Sequence, residues 1–67
     1  MFIVLELQTN PDGTVGTIAA GFDERAAAES RYHEILAAAA LSELPIHAAV
    51  LLTGEGVVLA RQSYSHP

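Results

Sequence analysis

The side chains with the most chemical scope in this 67-residue chain fall in two groups, Arg31-Tyr32-His33 and Arg61 with Tyr64. A guanidinium binds carboxylate or phosphate through paired hydrogen bonds. A phenol ring stacks on planar ligands, and an imidazole is a donor whose charge changes near neutral pH. Brought together across a subunit contact, Arg31, Tyr32, His33, Arg61 and Tyr64 would line a pocket for a small, planar, anionic ligand such as a nucleotide. All three cations are arginine and none is lysine, which suits bidentate anion recognition. Taken singly, the plainer expectation is that Arg31 is solvated, Tyr32 packs on a sheet and Tyr64 lies on an edge strand.

Catalysis finds little support. His33, His47 and His66 form no local metal-ligand spacing such as H-x-x-x-H. Among apolar neighbours, His33 and His47 are expected to be hydrogen-bonded structural groups. Ser30 and His33 lie one turn apart, but Glu34 points about 100° away from His33 on a helix, and no G-x-S-x-G elbow is present. The eight acids are spread over turns and exposed helix positions rather than paired. Gly21-Phe22-Asp23 leads into a helix, yet Asp23 and Glu24 occupy the place an anion would take. The expectation is a non-enzyme with no cofactor and no metal.

These residues are positioned by five elements. Phe2–Gln8 alternates, with Ile3, Leu5 and Leu7 on one face and Phe2, Val4, Glu6 and Gln8 on the other, as in a half-buried strand. Asn10-Pro11-Asp12-Gly13 is a turn leading to a returning strand, Thr14–Ala20, which Gly21 is expected to end. Asp23 is the expected N-cap of a helix running to about Ser42 and stopped by Pro45. Ile46–Thr53 is a strand apolar on both faces. Thr53-Gly54-Glu55-Gly56 is a tight turn, Val57–Tyr64 the last strand, and Ser65-His66-Pro67 a tail. The pattern predicts an α+β fold: a single ββαββ domain over residues 1–67, with a four-stranded, mainly antiparallel sheet and one helix on one face. The uncovered face is expected to carry Ala49 and Leu51, with Phe2 and Val4.

The helix is apolar on two stripes. Ala28, Tyr32, Ile35, Leu36 and Ala39 fall within about 100° of one another and should lie on the sheet. Ala26, Ser30, His33, Ala37, Ala40, Leu41 and Leu44 form a second stripe of mostly small residues, which would let another helix approach closely. It is the expected oligomer interface. Size argues the same way: a chain this short is marginal alone, there is no cysteine for a disulfide, and 51% of residues are hydrophobic. A net charge of −5 argues against nucleic-acid binding and against an anionic membrane surface. The opening stretch lacks a basic n-region and meets Glu6 at once, and no apolar run is long enough to span a bilayer. A cytoplasmic location is expected.

Ala28-Glu29-Ser30-Arg31-Tyr32-His33-Glu34, the Ala37–Ala40 run and Pro45-Ile46-His47-Ala48-Ala49-Val50 together resemble small proteins encoded in phages and prophages of gut-type bacteria. Such proteins also begin with a V-L-E-L-Q-T strand, here Val4–Thr9, and end near a Tyr-x-His, here Tyr64-Ser65-His66. The resemblance covers nearly the whole chain and carries no catalytic residue. It implies a phage accessory protein in the host cytoplasm. Phage proteins of this size include structural factors and sponges that sequester nucleotide immune signals, an immune-evasion role. Two functions are therefore expected. One is a homo-oligomer sequestering a small anionic ligand at its interfaces. The other is an assembly module that contacts protein through an apolar sheet face.

Overall fold

A computed structural model describes residues 1–66; Pro67, the end of the expected tail, lies outside them. The elements are β1 (Phe2–Thr9), β2 (Val15–Phe22), α1 (Arg25–Leu41), β3 (Ile46–Thr53) and β4 (Val58–Ser65). The strands form one antiparallel sheet in the order β2-β1-β3-β4, with α1 across one face, as the ββαββ pattern predicts. Two local hairpins are joined at the centre by β1 and β3, from Thr9 opposite Ile46 to Phe2 opposite Thr53.

Both hairpins close with the same turn. Asn10 N–H donates to Thr14 C=O at 2.8 Å and Gly13 N–H to Asn10 C=O at 2.9 Å. Thr53 N–H donates to Val57 C=O and Gly56 N–H to Thr53 C=O, each at 2.9 Å. Gly13 and Gly56 adopt φ of 90° and 92°, a region closed to most side chains. The sequences differ, but each puts glycine where the left-handed step falls.

Element bounds depart from expectation where a neighbour supplies pairing. Gly21 does not end β2: it pairs with Ile3, and Phe22 with Phe2, because β1 reaches far enough back to meet them. The helix starts later in consequence. Glu24, not Asp23, is the N-cap, and no side chain caps it. At the far end Val57 belongs to the turn, so β4 begins at Val58. A bulge opposite Leu51 and Leu52 interrupts the simple alternation of β4: Ala60 pairs with Leu51 but Val58 with Leu52, leaving Leu59 and Ala60 both packed against the core.

The core lies between α1 and the sheet. Ala28, Tyr32, Ile35, Leu36 and Ala39 are the buried helix residues, the stripe that the helical period predicts. They meet Val4, Ala49 and Leu51, with Phe2, Phe22, Leu59, Ala60 and Tyr64 around them. The expected sheet faces are thereby exchanged. Ala49, Leu51, Phe2 and Val4 lie beneath the helix. The uncovered face carries Ile3, Leu5 and Leu7 from β1 and Ala48, Val50 and Leu52 from β3, all only half-buried. Both faces of β1 and β3 are apolar, so alternation alone does not say which one the helix covers.

Candidate functional site

Two polar side chains are buried under α1: Glu6 from β1 and His47 from β3. Alternation places Glu6 and Gln8 in the helix-facing row of β1, and His47 begins the matching row of β3, directly opposite Gln8. Pairing of the two hairpins makes His47 a diagonal neighbour of Glu6. The His47 Nε2 lies 2.7 Å from a Glu6 carboxylate oxygen, and the Gln8 amide donates to the same oxygen at 2.9 Å. The Arg31 guanidinium stands 3.9 Å from the other oxygen and 3.3 Å from Glu34.

Burial alone would raise the Glu6 pKa. Hydrogen bonds from Gln8 and His47, with the positive charge of His47 and Arg31, outweigh it and hold the carboxyl below its ordinary range. An ionised Glu6 can only accept, so His47 Nε2 carries a proton. The other ring nitrogen, Nδ1, is buried without a partner. The pair has the form of an oriented histidine, but α1 covers it. Among the described residues no group of three or more His, Cys, Asp or Glu side chains could hold a metal ion. Its chemistry is that of a buried polar tie between the two hairpins.

The five residues expected to line a ligand pocket divide. Arg31, Tyr32 and Tyr64 lie on the helix side of the sheet. Tyr32 is buried in the core. Burial, then the adjacent Tyr64, raise its phenol pKa. Tyr64 is half-buried, opposite His47, and its ring stacks with that of His66 at 6.5 Å. His33 is exposed, its ring edge-on to Tyr32 at 5.4 Å. Arg61 pairs with Val50 and points from the other face of the sheet. Within one chain, then, the five do not share a pocket. Of the second helix stripe, Ala26, Ser30, His33, Ala37, Ala40 and Leu41 are exposed, Leu41 by 88%, and Leu44 is half-buried.

Arg61 borders a concavity on the uncovered face. This shallow depression of about 360 Å³ is lined by Ala48, Val50, Arg61 and Ser63, with Ala49 and Gln62 between them. Small side chains at Ala48 and Ser63 leave the hollow. Around it the uncovered face continues through Ile46, 43% exposed, Val15, 60% exposed, and Val58. Among the described residues Arg61 is the one charged side chain on that face; Glu6 and the acids of the turns and helix lie elsewhere.

His47 is the hydrogen-bonded structural group expected of it, whereas His33 is exposed; what sequence reasoning missed is that Glu6 is the partner. The signal was a carboxylate in an otherwise apolar strand, with a histidine at the start of another. Among the described residues no helix is long and apolar enough to cross a membrane. No protein-family model matches the chain, and no curated protein or solved structure is significantly similar to it.

Proposed function

We propose that this protein is a non-enzymatic, cytoplasmic assembly module that works as a homo-oligomer, packing the uncovered face of its sheet against a second copy. The observation that carries this is the face itself: a continuous apolar surface over both central strands, with Arg61 of the neighbouring β4 the one charged side chain on the face among the described residues. Antiparallel sheets that face water on one side normally alternate apolar with polar residues there. An apolar face this continuous marks a contact surface. Four strands of eight residues present roughly 500 Å², so two faces bring together about 1,000 Å², the lower bound for a specific interface. The acids that set the net charge of −5 are kept off the contact.

Sedimentation equilibrium from micromolar to millimolar concentration tests this. The native chain should associate, and Leu5→Lys, at the centre of the face, should fold but no longer stack face to face, so that it forms smaller assemblies than the native chain. A native chain that stays monomeric throughout, or a Leu5→Lys variant that associates as the native chain does, overturns it. The exposed helix stripe is the other possible self-contact. Dissociation by Ala37→Glu, with Leu5→Lys harmless, would move the contact there.

A second function has one observation in its favour. Arg61, pressed into an apolar interface, would need a counter-charge, and the depression beside it has room for a small anion. Sequestration of a nucleotide-like ligand between subunits, as in a phage-encoded sponge, would supply it. A thermal-shift screen of nucleotides and cyclic nucleotides, repeated on Arg61→Ala, decides. A shift abolished in the variant supports sequestration; no shift at millimolar ligand rejects it.

A further inference from the structure

The sheet has two edges, and only one is defended. The β4 edge carries the bulge at Leu59 and the charge of Arg61, two devices that blunt strand addition. The β2 edge, Val-Gly-Thr-Ile-Ala-Ala-Gly-Phe, has no charge, no proline and no register shift. The helix does not cover it. Ile18 lies in the row facing the helix, opposite Glu6, yet is 54% exposed.

The turn at Asn10 and Thr14 sets which backbone groups are free. Those two residues form a hydrogen-bonded pair, so the pairs alternate outward from it. Gly16, Ile18, Ala20 and Phe22 direct their N–H and C=O toward β1. Val15, Thr17, Ala19 and Gly21 direct theirs away from the sheet. These four are symmetric about Ile18. An antiparallel copy of β2 centred there pairs Thr17 with Ala19 and Val15 with Gly21, using every outward group.

We propose that β2 pairs with β2 of a second copy about a twofold axis at Ile18, making one continuous eight-stranded sheet. The occupant is the chain itself because the edge is self-complementary in this register. Ile18 then meets its symmetry mate in a pair without hydrogen bonds, where side chains approach most closely, and its exposed apolar surface is covered. Opposite residues of an antiparallel pair share a face, so both helices lie on one side and both uncovered faces on the other. The joined apolar face doubles to about 1,000 Å². Two such pairs stacked face to face bury about 2,000 Å², well within the range of stable assemblies. The edge contact adds to the self-association proposed above but does not require face packing.

Amide hydrogen exchange read residue by residue by NMR tests the pairing. In dilute monomer, Gly16, Ile18 and Ala20 should be protected, and Thr17 and Ala19 should exchange freely. At high concentration Thr17 and Ala19 should gain protection. Thr17→Pro removes an outward N–H that β1 does not use, and edge strands accept such a proline. It should weaken association about a hundredfold, two lost bonds at about tenfold each. Ile18→Lys, on an exposed side chain, is the second variant should the proline disturb the fold, and it should also favour monomer. An associated protein whose Thr17 and Ala19 amides still exchange at monomer rates overturns the edge pairing while leaving face packing intact. A chain that never associates overturns both.

Discussion

Glu6 and His47 are 41 residues apart in sequence and 2.7 Å apart beneath the helix. Their bond joins the first hairpin to the second at the point where α1 crosses them. Glu6 titrates below its ordinary value of 4.5 in the folded chain, so below that pH the unfolded chain binds more protons. This contribution to stability is present above pH 4.5 and is lost as pH falls through the folded value. Urea unfolding between pH 3 and 7 should show the decline. In Glu6→Gln the Glu6 part of the decline should vanish, and the protein should be about 1 kcal/mol less stable at pH 7, since the amide oxygen still accepts from His47 but the charge-assisted bond is lost.

The last turn of α1 is held from outside. His66 Nε2 lies 2.9 Å from the Ala39 carbonyl, and His66 N–H donates to Pro45 C=O at 2.9 Å. A carbonyl only accepts, so Nε2 carries the proton. His66→Ala should cost about 1 kcal/mol and lower the thermal midpoint by about 4–8 °C. The self-association constant should not change.

Glu24 is a weak start for a helix, because its side chain caps nothing. Glu24→Ser should add a side-chain acceptor for the first-turn N–H groups and raise stability by about 1 kcal/mol. Calorimetry against the native chain checks this; no gain would mean that the first turn is already satisfied by solvent.

The glycines separate by role. Gly13, at φ 90°, should lose about 1–2 kcal/mol on change to alanine. Gly16 has normal backbone and open space where a Cβ would go. Gly16→Ala should therefore stabilise by about 0.5 kcal/mol. Chemical denaturation of both variants should show shifts of opposite sign.

Much of the fold was legible because its signals are local. The helix stripe from Ala28 to Ala39 follows from period alone, and Asn10-Pro11-Asp12-Gly13 names its own turn. What stayed illegible depends on pairing between distant segments. Glu6 finds His47 only once β1 and β3 are neighbours. The choice of covered face depends on how α1 returns over the sheet, and the bulge at Leu59 on how β4 fits β3. Arg61 and Arg31 looked alike as anion ligands until the sheet was seen to stand between them.

The strand order has a consequence in time. Each hairpin closes through a five-residue turn and needs no other part of the chain to form. The seam from Thr9–Ile46 to Phe2–Thr53 closes only after α1 has folded back. Hairpins form in about 1–10 μs but are marginal alone. The slow event is thus the docking of two preformed ribbons under the helix. Substitutions at Val4 and Ala49, on either side of that seam, should retard folding, whereas those in the outer part of β2 should mainly hasten unfolding.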